Sequence, residues 1–362
     1  MKKTKLYPVH EKLGAKIVEF ADYLMPIHYS SIIAEHKSVR DSVGVFDVSH
    51  MGEIFVAGEK AVDFVQYITV NDVSKLYPGR VQYSAMCYNN AGIVDDLLVY
   101  KFADNKFLLV VNASNIEKDF NWMKENNKFG VILDNRSDEY SLIAVQGPNS
   151  NKTLQKLCDK EINLEYYHFF EAKVAGVEMI LSRTGYTGEL GYELYFKGDE
   201  KTAGHIWNKI FEAGMEFNIQ PVGLAARDSL RLEMGFMLYG NDIDQTTNPL
   251  EAGLGWITKL NKGNFIGRDV LLQVKSEGLK RKLVSMLGDD KSFPRHGYEI
   301  SADNKRIGEV TSGTFSPVLE KPIAMGYVDV SHANEGNDVN IVVRGKGMPV
   351  KIVKAPFIKK IE

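Results

Sequence analysis

Three stretches of the chain concentrate side chains able to do chemistry. The first, residues 182–193 (S-R-T-G-Y-T-G-E-L-G-Y-E), spaces Gly185, Gly188 and Gly191 every third residue and sets Tyr186, Tyr192, Glu189 and Glu193 among them. Glycine lacks a Cβ, so such a turn lets the backbone bend sharply or approach a ligand closely. It runs into a strand-like segment, 192–197, that would hold its aromatic and acidic side chains on a fixed edge. A carboxylate there can accept two parallel hydrogen bonds from a flat heterocycle with adjacent N–H donors, and a tyrosine can lie on that ring's face. A glycine-rich turn with surface acids would carry the same residues. The spacing is neither G-x-G-x-x-G after a strand nor G-x-x-x-x-G-K-[ST], so neither a dinucleotide fold nor a P-loop is indicated.

The second stretch, residues 81–101 (V-Q-Y-S-A-M-C-Y-N-N-A-G-I-V-D-D-L-L-V-Y-K), reads as a hairpin: a strand to Tyr88, a turn at Asn89-Asn90-Ala91-Gly92, and a returning strand. On the returning strand Asp96, Leu98 and Tyr100 share one face, and Asp95, Leu97 and Val99 the other. Both faces are otherwise apolar, so at least one carboxylate points into low dielectric or a cleft, a cost that functional sites tolerate. Alternatively, both acids cap the turn. The third stretch, 221–235 (P-V-G-L-A-A-R-D-S-L-R-L-E-M-G), is a helix bounded by proline and glycine, with Arg227 and Arg231 on the stripe of Leu224. An arginine on an apolar stripe wants an anion, and its planar fork suits a carboxylate. An intrahelical pair of Asp228 with Arg231 would occupy one arginine and leave the other unexplained. Asp47 and His50, in V-F-D-V-S-H-M-G-E-I-F-V-A-G (45–58), could form a catalytic dyad or a local hydrogen-bonded pair.

Residues 1–50 suggest a short helix with Leu13, Ile17 and Phe20 on one face, a loop, and a second helix over 32–43. A strand over 107–112 leads through Asn112 to a helix that opens on a capping-box pattern, Ser114 with Glu117. A strand at 141–145, a Gly147-Pro148 break, an amphipathic helix and a longer helix over 204–217 follow. The composition turns charged and linker-like at 273–282. Beyond it, short strands at 283–287, 306–311, 325–330, 339–344 and 350–353 have the pattern of a small β-barrel or sandwich domain.

A chain of 362 residues, 44% hydrophobic and 25% charged, has ample core and should divide into two or three domains. The net charge of −3 argues against nucleic-acid binding driven by bulk electrostatics. Cys87 and Cys158 supply neither a disulfide framework nor a zinc site. No apolar h-region follows M-K-K-T-K-L-Y-P-V-H-E, and no apolar run approaches the ~18 residues of a membrane helix. The expectation is a soluble, cytoplasmic protein with no membrane partner.

Seven segments in order resemble one family over nearly the whole chain. They are F-D-V-S-H-M-G-E, the N-x-x-G-I-x-D-D hairpin, S-R-T-G-Y-T-G-E-x-G-Y-E, G-L-A-A-R-D-S-L-R-L-E, L-Y-G-N-D-I-D, N-P-L-E-A-G-L-G-W and E-V-T-S-G-T-F-S-P. The family is the T-protein of the glycine cleavage system, the tetrahydrofolate-dependent aminomethyltransferase. The resemblance implies an α+β fold, a three-domain cloverleaf around a central folate-binding channel, with a small C-terminal β-barrel. The folate-binding region would be 1–275, in two subdomains (roughly 1–50 plus 138–275, and 51–137), and the barrel domain 280–362.

It also implies roles by position. Glu193 would take the pterin's 2-amino and N3 donors as a bidentate carboxylate. Tyr186 and Tyr83 would line the pterin slot, Asn112 would lie beside the ring, and Arg227 would hold the carboxylate end of the folate tail. Asp96 corresponds to the family's functional aspartate, acting as base on the folate nitrogen or as an ionised group stabilising a developing iminium. Lys359 or Lys360 would reach the folate tail, and Ala91 stands where the family usually has a second glycine.

The implied reaction moves the methylene carbon of an aminomethyl group on the lipoyl arm of H-protein to tetrahydrofolate, a co-substrate. It yields 5,10-methylenetetrahydrofolate and ammonia and requires no metal. A folate-binding accessory protein for iron–sulfur cluster assembly shares this fold. Those proteins resemble one another at K-G-C-Y-x-G-Q-E, where this chain has K-G-N-F-I-G-R-D (262–269), with Asn264 in the cysteine position. The folate domain of a sarcosine- or dimethylglycine-dehydrogenase-like enzyme would follow a flavin-binding domain. A catalytically silent scaffold would be expected to lack the set of Asp96, Glu193 and Arg227.

Overall fold

The computed structural model describes residues 1–290 and 292–358. The chain forms two compact units: residues 1–64, 75–82 and 97–228 make the first, and 65–74, 83–96 and 229 onward the second.

The first unit is built on a six-stranded sheet. Its order is Phe169–Val174, Val177–Ser182, Gly191–Lys197, Tyr140–Gln146, Gly44–Asp47 and Gln220–Pro221, antiparallel except for the last pair. Side chains alternate across a strand. Leu194 and Phe196 therefore pack in one buried cluster with Ile206, Trp207 and Ile210 of the helix Glu200–Gly214, while Glu193 and Tyr195 turn to the opposite face. That helix starts at Asp199, whose side chain accepts from the Thr202 N–H at 2.9 Å.

The N-terminal segment differs from expectation. The helix Tyr7–Lys12 stops before Gly14 (φ +69°); Ile17 and Phe20, expected on a helical face with Leu13, lie in the strand Lys16–Phe20, and the expected loop contains a second strand, Tyr23–His28. Ala21 and Asp22 join them at φ 48° and 65°. Two successive positive φ values make a tight hairpin turn, and β-branched Ile17 and Val18 suit a strand better than a helix. Ile32–Asp41 is helical as expected.

A second sheet has the order Val81–Cys87, Ile93–Ala103, Lys106–Val111, Gly52–Ala57 and Ile132–Asn135. It contains the expected hairpin, whose residues 83–96 belong to the second unit. After Lys106–Val111 the expected capping box is absent. A single 3-10 turn, Ala113–Asn115, precedes the helix Ile116–Glu125 and moves its N-cap to Asn115, with no side-chain capping bond.

The second unit contains a closed six-stranded barrel: Arg281–Gly288, Lys321–Asp329, Lys305–Ser316, Glu299–Ala302, Asp338–Val343 and Lys346–Val353 in order of pairing. Val284, Met286, Val310, Ala324, Ile341 and Ile352 fill its core. The barrel was expected; its strand Glu299–Ala302 was not. The charged run at 273–282 is not a linker. Arg268–Glu277 is a helix with Leu271 buried, and Arg281 already starts the barrel. Lys275 and Glu277 lie on the exposed face of that helix, and Arg281 and Lys282 belong to the first barrel strand. Likewise Leu224–Glu233 begins three residues after Pro221, which sits in a short strand. Among the described residues no helix is long and apolar enough to cross a membrane.

Candidate functional site

Glu193 is 7% exposed on the strand Gly191–Lys197. Thr184 donates its hydroxyl to Glu193 Oε2 at 2.5 Å, and Tyr195 donates to the same oxygen at 3.4 Å. The Tyr100 hydroxyl joins Tyr195 (2.9 Å) and Thr184 (3.2 Å), completing a buried hydroxyl network. Burial pushes the Glu193 carboxyl up from its ordinary value. The Thr184 hydrogen bond, the Arg227 charge and the Tyr195 hydroxyl pull the other way. A ligand with two adjacent N–H donors would strengthen the side that keeps this carboxylate ionised.

Gly185 and Gly191 serve the protein's own packing. A Cβ at Gly185 or Gly191 would lie 2.1 Å or 2.4 Å from the Gln146 side chain. Gln146 Nε2 donates to Thr184 O at 3.2 Å, and its Oε1 accepts from Thr187 Oγ1 at 2.9 Å. Arg40 Nη1 donates to Thr187 O (2.6 Å) and pairs with Glu189 Oε1 (2.7 Å). Gln146 and Arg40, unmarked by any local pattern, thus pin the loop that carries Tyr186, and Glu189 is part of that pin.

The Arg227 guanidinium lies 4.7 Å from the centroid of the Tyr186 ring, a cation over a π face. Arg227 also bears on His50, whose imidazole is pulled down to about 4, first by burial and then by this positive charge. His50 is buried, its Nδ1 has no hydrogen-bond partner among the described residues, and Phe20 meets its ring edge-on at 5.4 Å. Asp47 is bonded elsewhere. Its Oδ2 takes His10 Nε2 (2.8 Å) and Thr4 Oγ1 (2.6 Å), and its Oδ1 takes the Ser49 N–H. Neither a dyad nor a hydrogen bond with His50 forms, because the N-terminal helix supplies His10.

Asn112 is half-buried just after Lys106–Val111, its carbonyl accepting from the Asn115 N–H at 2.9 Å. Arg231 belongs to the framework of the second unit. It is 1% exposed and donates to Asp242 Oδ2 (2.6 Å), Phe236 O (2.8 Å) and Ser312 Oγ (2.8 Å). Its anion is Asp242.

In the second unit the Tyr83 hydroxyl donates to Asp96 Oδ2 at 2.9 Å, and the Tyr83 ring stacks on Trp256 with 6.2 Å between centroids. Asp95 is wholly buried and Asp96 half-buried. Trp256, 64% exposed, ends the family-like segment N-P-L-E-A-G-L-G-W, but its local sequence, a large ring amid glycines, assigns it no site role. The hairpin itself is clamped. A Cβ at Gly92 would meet Gln245 O at 2.0 Å, and the Ile93 N–H is shared by Asp244 O and Thr247 O. Ala91 adopts φ 65°, the left-handed geometry that favours glycine. Lys359 and Lys360 lie outside the described residues. The first unit thus gathers Glu193, Tyr186 and Arg227 and also holds Asn112; the second joins Tyr83 to Asp96.

Residues 6–262 match the family model described as the GCVT N-terminal domain, and residues 281–359 the glycine cleavage T-protein C-terminal barrel domain. The chain is 50% identical to an aminomethyltransferase of Halothermothrix orenii (strain H 168), with 99% of this chain and 100% of that protein aligned. It is 53% identical to an aminomethyltransferase of Flavobacterium psychrophilum over the same shares. A crystal structure of glycine cleavage system aminomethyltransferase T from Bartonella henselae, 35% identical, superimposes with a TM-score of 0.92 over 99% of this chain and 98% of that one.

Proposed function

The chain belongs to the glycine cleavage T-protein family, and on that premise we infer an aminomethyltransferase that acts on the lipoyl arm of H-protein with tetrahydrofolate as acceptor. Its place in the cytoplasm is part of the same proposal. The reaction balances as follows. Two carbon–nitrogen bonds form, to folate N5 and N10, while the carbon's bonds to the amino nitrogen and to the lipoyl sulfur break. Two protons leave the folate, and one ends on ammonia and one on sulfur. The protein's task is to hold two nitrogens against one carbon and to manage those protons.

One observation carries the assignment of the acceptor. Glu193 is a buried carboxylate with one oxygen already oriented by Thr184 and Tyr195, in the same unit as the Arg227–Tyr186 pair. Such a group suits the adjacent 2-amino and N3 donors of a pterin. Tyr186 lines the ring's slot in this reading, Asn112 lies beside the ring, and Arg227 takes the carboxylate of the tail. Asp96, aimed by the Tyr83 hydroxyl, handles the proton and charge that develop at the reacting nitrogen. Equilibrium binding of tetrahydrofolate tests the ring assignment. Glu193→Gln removes a charged acceptor and presents an N–H to an N–H, so affinity falls about ten- to hundredfold. Unchanged affinity would overturn the role of Glu193.

A further inference from the structure

We infer that Lys262 is a positioning residue for the Tyr83–Asp96 pair: its ammonium fixes the loop over 69–72, and that loop fixes Tyr83. The inference rests on the role proposed above for Asp96.

Lys262 Nζ donates to three backbone carbonyls, Gln66 O at 2.5 Å, Thr69 O at 2.6 Å and Asn71 O at 2.8 Å. An ammonium has three donors and no acceptor, so these bonds use it completely. The charge sits at the C-terminal end of the helix Ala61–Ile68, where carbonyls lack intrahelical partners and the helix dipole is negative. Burial works against the charge and pulls Lys262 down to about 7, with Asp72 opposing. The three carbonyls favour the charged form.

The loop held this way grips the strand Val81–Cys87 at three successive residues. Asn71 Nδ2 donates to Tyr83 O at 2.8 Å, the Asn71 N–H to Ser84 Oγ at 3.1 Å, and the Val70 N–H to Ala85 O at 2.9 Å. Tyr83 then donates its hydroxyl to Asp96. The short segment that carries Lys262 also carries Trp256, stacked on the Tyr83 ring. Tyr83 is therefore braced twice from one stretch, at its backbone through Asn71 and at its ring by Trp256. Methionine at 262 would leave three carbonyls without their donor, and the loop would move to find others.

A mere helix cap would affect stability alone; a positioning residue also couples to the group it positions. The test is a double-mutant cycle of Lys262→Met with Tyr83→Phe. It reads kcat and tetrahydrofolate KM for folate-dependent ammonia release, with thermal unfolding of each variant. Lys262→Met is expected to lower kcat about 10- to 100-fold, by more than it raises tetrahydrofolate KM, as a misplaced reacting group does. With Tyr83→Phe already present, the same substitution should cost only a small fraction of that factor, because the hydroxyl it aims is gone. Asn71→Ala leaves the ammonium in place and is expected to give the same pattern, even where Lys262→Met fails to fold. Equal fold losses in both backgrounds, or a lowered Tm with kcat unchanged, would overturn the inference. An activity-free arm follows Trp256 emission, taken as the difference from Trp256→Phe. Lys262→Met should alter it, and unaltered emission counts against the brace. A wild-type chain that releases no ammonia with folate would defeat the functional reading instead, leaving the emission arm to decide the bracing.

Discussion

Glu193 and His50 are both driven toward neutrality by burial, and Arg227 opposes that drive at the first while reinforcing it at the second. His50 binds a proton near its ordinary 6.5 in the unfolded chain but refuses one until about pH 4 in the folded chain. Across that window the unfolded state holds more protons. Stability is therefore full above 6.5 and falls as pH drops, by about 1.4 kcal/mol per pH unit for one proton. His50→Asn should flatten the stability–pH slope between these values by that amount in chemical denaturation; an unchanged slope would place the acid sensitivity elsewhere. Glu193 and the buried Glu53 have the opposite sign. Their carboxyls are raised, chiefly by burial, so their contribution is present below the ordinary glutamate value and lost as pH rises through the folded one. At Asp96, Asn keeps the shape and one hydrogen-bond acceptor but loses the base. Asp96→Asn should cut turnover about 10²- to 10⁴-fold with little change in tetrahydrofolate affinity. Equal losses in both would reduce Asp96 to a binding residue.

Gln146 and Arg40 grip the loop over 184–190, and this grip is testable at a glycine. Gly185→Ala would put a Cβ 2.1 Å from Gln146 Oε1, an overpacking that costs about 1–3 kcal/mol. Adding Gln146→Ala should return part of that loss in denaturant unfolding; a neutral Gly185→Ala would refute the close contact. Such braces are what the sequence could not disclose. The hairpin at 81–101 and most barrel strands were legible because two-residue alternation and turn residues are local signals. The strand Lys16–Phe20 reads as helix in the sequence because Leu13, Ile17 and Phe20 also satisfy a helical period, and only the Ala21–Asp22 turn decides between them. The Asp47–His10, Gln146–Thr187 and Arg231–Asp242 bonds join residues from different elements, and no local pattern announces them. Candidate site residues were legible by type. Pattern alone left Asp95 and Asp96 equivalent, and burial of the first with the Tyr83 hydroxyl on the second separates them.

At the scale of the whole chain, the barrel and residues 229–280 form part of one compact unit with a polar, buried seam. Asp242 takes Arg231 and Thr311, Glu233 takes Ser316, and Arg281 reaches both oxygens of Glu251 at 3.0 Å. We keep 1–275 and 280–362 as proposed domains of the sequence, but this seam couples the barrel to the end of the region before it. Arg231→Met strands a buried Asp242 and should cost about 3–5 kcal/mol. Hydrogen exchange should show the barrel and 229–280 losing protection together; independent loss would contradict the coupling.

Folate-dependent aminomethyl transfer can be followed directly. Purified chain is mixed with aminomethylated, lipoylated H-protein, and ammonia and methylenetetrahydrofolate are followed with and without tetrahydrofolate. Both products are expected to appear together and only when folate is present. Tight tetrahydrofolate binding with no ammonia above the folate-free control would contradict it.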